Sequence, residues 1–581
     1  MRIASVRLQG FRNFRDAFVN FNEKSLVIGY NDVGKTNLVY ALRLLLDRTL
    51  PESALEPRDS DFYVHQPTNT FSIDIHLVDV VEDCLVSRFG EYLTDEGDLH
   101  LVYEASRDPV SERKRYEVKA GPADALETLS GRFYLKYLNL RVVEGKRDLL
   151  RFIRRERRAL LEEAKEARTV DQREEDVQLL KEVDKRLKEA NAAIMKLNYV
   201  GSATNTLNVE LSKLSYRHAS HQLVFGTGGT DSAEFVENLE LLSRVQNSTI
   251  AVGGDGRHNQ IQLALWTARN QIAAGEQADP EEVSVYCIEE PEAHLHPHQQ
   301  RKLAAYLANT LGSQVILTTH SAQIASEFPP ESLIRLYQND LETVAAAAGC
   351  SDLIQAEVVR FGFRMSILPA EAFFASAVLL VEGPSELLFY RALARAIGID
   401  LDRMNVSILS VDGVGFDVYC NLLTALSIPF SVRTDNDVFK IPNVNAYHYA
   451  GIERALELAK RYRRNFDHGR VVDLDLLQGF DDPQQIPDPN RRAAETMRSL
   501  LAEYGVFVAQ QDLENDLCSA HAPVIFEYTR TQTHDAAVRR MQGAKANFMF
   551  SFLRMKAETL ADLAGSHLAA PLVYCQELVQ G

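Results

Sequence analysis

The sequence has no run of about 18 apolar residues, which excludes a membrane-spanning helix of ordinary length. It opens on MRIASVRLQGFRNF, where arginines break the apolar alternation, so the apolar core of a secretory signal is missing as well. A cytoplasmic protein with no membrane partner is expected. Cysteine is scarce. The six (Cys84, Cys287, Cys350, Cys420, Cys518 and Cys575) are scattered, and none forms a Cys-x-x-Cys pair. Neither a cysteine zinc site nor a disulfide framework is indicated, and reduced, mostly buried thiols are expected. A basic surplus is absent too: 63 Lys and Arg face 81 Asp and Glu, for a net charge of −18. That excludes a broadly basic coat for nonspecific nucleic-acid binding. It leaves room for a local basic groove and for carboxylates gathered to hold divalent metals. No fixed-period repeat and no low-complexity linker is visible.

What is present is an ordinary globular composition, 46% hydrophobic and 25% charged, in a chain long enough for two to four domains. The first chemical motif is Gly29-Tyr30-Asn31-Asp32-Val33-Gly34-Lys35-Thr36, a phosphate loop of the form G-x-x-x-x-G-K-[ST]. Its glycines let backbone N–H groups curl around phosphate oxygens. Lys35 reaches the β/γ-phosphates, Thr36 offers its hydroxyl to Mg²⁺, and the following helix presents its positive end. Asn31 and Asn37 complete the expected nucleotide contacts. The setting agrees: Leu26-Val27-Ile28 reads as the strand before the loop, and Leu38, Leu42, Leu45 and Leu46 as the apolar face of the helix after it. Downstream, the apolar run from Val283 ends in Glu289-Glu290-Pro291-Glu292. A buried strand ending in two acids suits a Walker B element, with Glu289 holding the metal's water shell and Glu290 activating the attacking water. A further strand, Val315 to Thr318, leads to His320, placed to contact the γ-phosphate.

Residues 144–198 are charged and nearly free of proline and glycine. Leu180, Val183, Leu187, Ala190, Ile194 and Leu197 follow spacings of three and four, a heptad seam that pairs with another chain or lies on its own subunit. His294, His296 and His298 alternate after the two acids, but Pro297 interrupts them, and a structural loop is preferred to a metal site.

From Ala377 a second α/β unit begins. An apolar strand ends at Glu382-Gly383-Pro384-Ser385-Glu386, and a later one at Thr434-Asp435-Asn436-Asp437. Carboxylates at the carboxyl ends of parallel strands converge on the crevice where ligands bind. Two hard cations held there activate water on one side of a phosphodiester and stabilise the leaving oxygen on the other. The basic run Lys460 to Arg464, with His468 and Arg470 beyond it, fits backbone phosphate or a solvated helical face equally well.

The order GYNDVGKTN, GGDGRHNQ, CIEEPEAHLHP and TTHSAQI resembles the ABC ATPases of the SMC/RecF type. The resemblance makes GGDGR the signature loop, with Gly254 and Gly256 approaching a γ-phosphate bound on another copy. The order LLVEGPSE then RTDND resembles a Toprim domain, and the pairing of the two resembles the OLD-family ATPase–Toprim nucleases, nearest the Gabija anti-phage branch. DLENDL (Asp512 to Leu517) matches that family's additional acidic motif. The resemblance implies Asp512 and Glu514 as further metal ligands beside Glu382, Glu386, Asp435 and Asp437, and Lys545 as a transition-state stabiliser. It also implies ATP, Mg²⁺ or Mn²⁺, double-stranded DNA, a homodimer or tetramer, and a UvrD-like helicase partner subunit. Glu289-Glu290 departs from the family's Asp-Glu.

The expected fold is α/β: an ABC-type ATPase domain with a helical dimerisation insertion, then a C-terminal Toprim domain. Expected boundaries are 1–144 for the first ATPase part, 145–224 for the insertion, 225–345 for the second ATPase part, 346–372 for a linker and 373–581 for Toprim. The expected activity is nucleotide-regulated DNA cleavage in anti-phage defence. The alternatives are a non-cleaving RecF/SMC-like DNA clamp and a Toprim topoisomerase or primase.

Overall fold

A computed structural model describes residues 1–66, 68–143, 149–194, 196–214, 242–245, 248–251, 282–293, 295–309, 312–350, 367–412, 415–467, 472–483 and 485–580. Gly254, Gly256, His294, His468 and Arg470 lie outside the described residues.

The chain divides into two compact units. One holds Met1–Gly145, Asp279–Glu292 and Pro297–Gly581; the other holds Lys146–Ala278 and Ala293–His296. In the larger unit, strand Arg2–Phe11 pairs antiparallel with Phe14–Asn20 and Thr70–Val78 and opens a six-stranded antiparallel sheet. Val6 and Leu8, two residues apart on that first strand, are fully buried with Arg7 exposed between them, the alternation of a half-buried strand.

A second six-stranded sheet carries the phosphate loop. Its order is Glu342–Ala345, Leu333–Asn339, Lys24–Ile28, Val315–Thr318, Val283–Glu289 and Leu138–Val143. All neighbours are parallel except the first pair. Its strands are continuous apolar runs because helices cover such sheets on their faces. Leu26, Val27, Ile28, Ile316 and Leu317 are 0% exposed. Helix Lys35–Leu46 follows the loop and buries Leu38, Leu42, Leu45 and Leu46, the stripe that the leucine spacing predicts.

The C-terminal part of this unit is built on a four-stranded parallel sheet in the order Val406–Ser410, Ala377–Val381, Phe430–Thr434, Val506–Val508. The central strand Ala377–Val381 is buried at every position. Helices Pro384–Ala396, Leu513–Ala520, Lys545–Lys556 and Ala570–Gln580 close one core with it, through Phe389, Leu393, Leu517, Phe552 and Leu572. The chain is therefore α/β as expected, with an N-terminal part carrying the phosphate-loop sheet and a C-terminal part built on the four-stranded parallel sheet.

The smaller unit contains helices Leu149–Glu166, Val170–Ile194 and Asn198–Leu214. The heptad seam is shorter than the leucine spacing suggests. Leu180, Val183, Leu187 and Ile194 are half-buried and Ala190 is exposed, all on the long helix. Leu197 falls beyond the helix end, in a turn, and is 41% exposed. Among the described residues no helix is long and apolar enough to cross a membrane.

Candidate functional site

Two sites sit in the larger unit. In the first, the phosphate loop bends where its glycines permit. Gly29 and Gly34 have φ of 150° and 109°, and a Cβ on Gly34 would stand 2.2 Å from Asn13 Nδ2. Lys35 is 6% exposed, and its ammonium donates to Gly29 O and Tyr30 O, both at 2.9 Å. Burial lowers its pKa to about 8, against the pull of Glu290, Glu292 and Asp32. Asn31 and Thr36 are exposed at the mouth of the loop. Asn37 is hydrogen-bonded within the protein: it donates to Asn13 Oδ1 at 2.7 Å and accepts from Arg12 Nη1 at 2.8 Å. Asn13 in turn donates to Val33 O at 2.9 Å and Thr343 Oγ1 at 2.8 Å. Asn37 therefore fastens the loop to the Arg12-Asn13 turn, a structural duty that a contact list based on the motif alone overlooks.

Glu289 ends its strand opposite Thr318. Glu290 follows with φ 45°, a conformation costly for a side chain longer than asparagine's, and its Oε1 lies 3.4 Å from His320 Nε2. Glu292 accepts the His320 N–H at 2.6 Å; its burial raises its pKa, and its Oε2 is buried without a hydrogen-bond partner. Glu290 thus lies beside the histidine, and Glu292, which sequence reasoning passed over, joins them. His298 shares a 2.7 Å hydrogen bond with Arg301, so it serves the start of helix Pro297–Asn309.

The second site lies at the carboxyl ends of the parallel Toprim strands. Glu382 follows Ala377–Val381 directly. Its Oε1 accepts from Thr434 Oγ1 at 2.5 Å, the Asp435 N–H at 2.9 Å and Arg454 Nη2 at 2.8 Å. Glu386, one helical turn on, is 6% exposed and accepts the Gly383 N–H at 2.7 Å, the return half of a capping box. Its pKa is raised to about 7, by burial first and by Glu382 and Glu514 as well, with Arg433 opposing. Asp435 is 8% exposed and its pKa is pushed to about 8 by burial, then by Glu386, Glu382 and Asp512. Asp437 Oδ2 is 3.5 Å from Arg454 Nη2.

Asp512 caps helix Leu513–Ala520 by accepting the Asn515 N–H at 2.7 Å, and its other oxygen accepts from Gln542 Nε2 at 2.6 Å. Glu514 is 2% exposed and burial raises its pKa, with Lys545 opposing. Lys545 is the first residue of helix Lys545–Lys556. Burial would lower its pKa, but Glu514, Asp435, Asp512 and Glu386 together outweigh that and raise it. The expected general stabiliser and its acids thus share one electrostatic field.

The six expected ligands are not drawn to one point. Among the described residues, no three His, Cys, Asp or Glu side chains stand close enough together to hold a metal ion. The six expected ligands lie along one edge of the sheet, with the Arg454 guanidinium against Glu382. The donor set still fits a hard divalent cation. Asp435 Oδ1 is buried with no hydrogen-bond partner, a costly condition for a carboxylate, and mutual repulsion among the acids is what added positive charge would relieve.

Behind the acids, Arg433 donates to Asp516 Oδ2 at 2.6 Å and Tyr390 OH at 3.1 Å. Both ends of the ion pair are buried. The pair ties strand Phe430–Thr434 to helix Leu513–Ala520, so it sets the distance between the Asp435 and Asp512 tips. In the basic run Arg463 packs into the protein, while Lys460 and Arg461 form surface ion pairs and Arg464 is exposed. Arg463 donates to Phe430 O at 2.7 Å and stacks on the Phe430 ring at 4.4 Å, Lys460 pairs with Glu457, and Arg461 lies 3.5 Å from Asp417.

Two families match. Residues 1–132 and 151–325 match the AAA ATPase domain, and residues 373–437 match the Overcoming lysogenization defect protein-like TOPRIM domain. Among curated relatives, the endonuclease GajA of Bacillus cereus (strain VD045) is 24% identical over 547 residues, covering 90% of each chain. The Old nuclease of Escherichia phage P2 is 22% identical over 471 residues, covering 75% of this chain and 77% of the relative. Among solved structures, the C-terminal region of the Xanthomonas campestris pv. campestris OLD protein is 21% identical and covers 36% of this chain and 97% of that one, with a TM-score of 0.23.

Proposed function

The chain belongs to the AAA ATPase domain family and carries an OLD-like Toprim domain, and from that premise we propose that it is a divalent-metal-dependent DNA endonuclease of anti-phage defence, regulated by nucleotide. The observation that carries the reading is the carboxylate edge, where Glu382, Glu386, Asp435 and Asp512 repel one another and Asp435 keeps a buried, unpartnered oxygen.

Glu382, Glu386, Asp435, Asp437, Asp512 and Glu514 are the residues that would hold Mg²⁺ or Mn²⁺. A bound cation supplies Lewis-acid stabilisation of phosphodiester charge and a more acidic water. The chain's own residues prepare that chemistry. Thr434, the Asp435 amide and Arg454 fix the orientation of Glu382. The raised pKa values of Glu386 and Asp435 mean that both carry a proton part of the time near neutral pH and release it when positive charge arrives. Lys545, kept charged by its acidic neighbours, would donate to the oxygens of a phosphate whose negative charge grows in the transition state.

At the other site, Lys35 and Thr36 would take the nucleotide phosphates, with Glu289, Glu290, Glu292 and His320 beyond them. The nucleotide would control access of DNA to the Toprim edge. The helical segment at 145–224 is proposed to join copies into a dimer or tetramer, and a UvrD-like helicase is the proposed partner.

Plasmid cleavage in Mg²⁺ across an ATP titration tests this reading. Supercoiled DNA should be nicked or linearised by the parent and left intact by Glu382→Ala, while Lys35→Ala should cut with an altered ATP response. Normal cutting by Glu382→Ala would remove the nuclease assignment. DNA binding without cutting by the parent would favour the clamp, and a covalent protein–DNA adduct would favour a topoisomerase.

A further inference from the structure

Arg454 belongs to none of the motifs, yet it makes more contacts to the carboxylate edge than any expected ligand. It lies in the second turn of helix Ala450–Tyr462. Its Nη2 donates to Glu382 Oε1 at 2.8 Å, to Thr434 Oγ1 at 2.7 Å and to Asp435 O at 3.2 Å, and its Nε donates to Thr434 Oγ1 at 3.1 Å. Asp437 is 3.5 Å away. A single planar fork thus touches the tips of two neighbouring strands, a geometry open to arginine and closed to lysine.

The helix reaches that close because of Gly451. A Cβ there would stand 2.2 Å from Asp435 O and 2.6 Å from Asn436 Cα. Arg454, three residues on, shares the same helical face. The backbone is therefore pressed against the Asp-Asn-Asp tip, and the guanidinium is laid across it.

Its charge sits where the donor set calls for a cation. The Arg454 and Glu382 side chains are 37% and 28% exposed, so their attraction is only partly screened. A second positive charge approaching Glu382 must overcome repulsion from the first.

We propose that Arg454 is an internal counter-cation and positioning residue: it holds Glu382 and the Asp435 tip together before metal binds, and it competes with the divalent cation for Glu382, lowering the site's metal affinity. This rests on the metal-dependent reading above. Arg454 is thereby a threshold device, setting the divalent-ion concentration at which the edge becomes loaded.

Mn²⁺ binding to the full chain, followed by the loss of the free-ion EPR signal, tests the proposal without reference to cleavage. Arg454→Gln keeps an amide that can donate and removes the charge. It should bind Mn²⁺ at the Toprim edge on the order of tenfold more tightly than the parent, a modest coulombic gain of the size expected near a surface. Arg454→Lys, which restores the charge, should return most of the way to the parent. Glu382→Gln should bind more weakly than either. Equal affinity in Arg454→Gln and parent, with Glu382→Gln weakened, would overturn the proposal alone. Equal binding by Glu382→Gln and parent would remove the metal site itself and the proposal with it. If Arg454→Gln does not fold, a Mn²⁺-soaked crystal of the parent decides. Arg454 displaced from Glu382 supports the proposal, and Arg454 unmoved beside a metal-bound Glu382 overturns it.

Discussion

Single side chains in this molecule divide into those that present charge and those that hold charge in place. Asp516 belongs to the second kind. It is 0% exposed and pairs with Arg433, itself 3% exposed; His567 stands 3.4 Å away and the Gln510 N–H donates at 3.0 Å. Burial alone would raise its pKa, but His567 and Arg433 together hold it below the ordinary aspartate value. Its folded pKa is depressed, so its contribution to stability is present above the unfolded value and is lost as pH falls through the folded one. Asp516→Ala strands a buried guanidinium and should cost about 3–5 kcal/mol, read as a lower urea midpoint at pH 7. A midpoint equal to the parent's would show that the pair is not a fixed strut. Much of the nucleotide site was legible at this scale, because Gly29 to Thr36 is contiguous and each position has one job. Asn37 was not, since its partners Asn13 and Arg12 sit more than twenty residues earlier in the chain.

At the scale of elements, period and punctuation carried most of the fold. The buried runs at 24–28, 315–318, 377–381 and 430–434 stand out because a strand covered on both faces needs no polar alternation. The turn that ends the heptad seam before Leu197 was less visible, because spacings of three and four continue through it. Helix Ala450–Tyr462 was the main omission. The basic run at its end was left open between backbone phosphate and a solvated face, and neither reading foresaw that Arg463 faces Phe430. Its N-terminal half, which delivers Gly451 and Arg454 to the acids, has no local signature, since contact across 20 residues leaves no spacing to detect. Gly451→Ala should push this helix off the Asp435 tip. An overpacked methyl against backbone costs about 1–3 kcal/mol, so the melting temperature should fall, and with Arg454 drawn back from Glu382 the Mn²⁺ affinity should rise. A variant that melts and binds like the parent would mean that the helix is not seated as described.

For the whole molecule, the larger unit joins its phosphate-loop sheet to its four-stranded parallel sheet through a buried arginine. Arg335 lies on the strand beside the phosphate-loop strand, in register with Ile28. Its guanidinium donates to Leu426 O, Ser427 O and Ala375 O at 3.0, 3.1 and 3.2 Å, all in the Toprim part. Burial lowers its pKa to about 10, so it stays charged at neutral pH and keeps those carbonyls satisfied. Under the proposed nucleotide control, this contact is where a shift at the phosphate loop would meet the Toprim sheet. The central claim remains that the Toprim carboxylate edge cuts DNA. The most direct test is the single-turnover rate of plasmid cleavage by Asp435→Asn in saturating Mg²⁺, with folding verified by circular dichroism. The rate should fall at least about 10²-fold, the scale of losing one charge-stabilising group in an active site. A rate equal to the parent's would contradict the account.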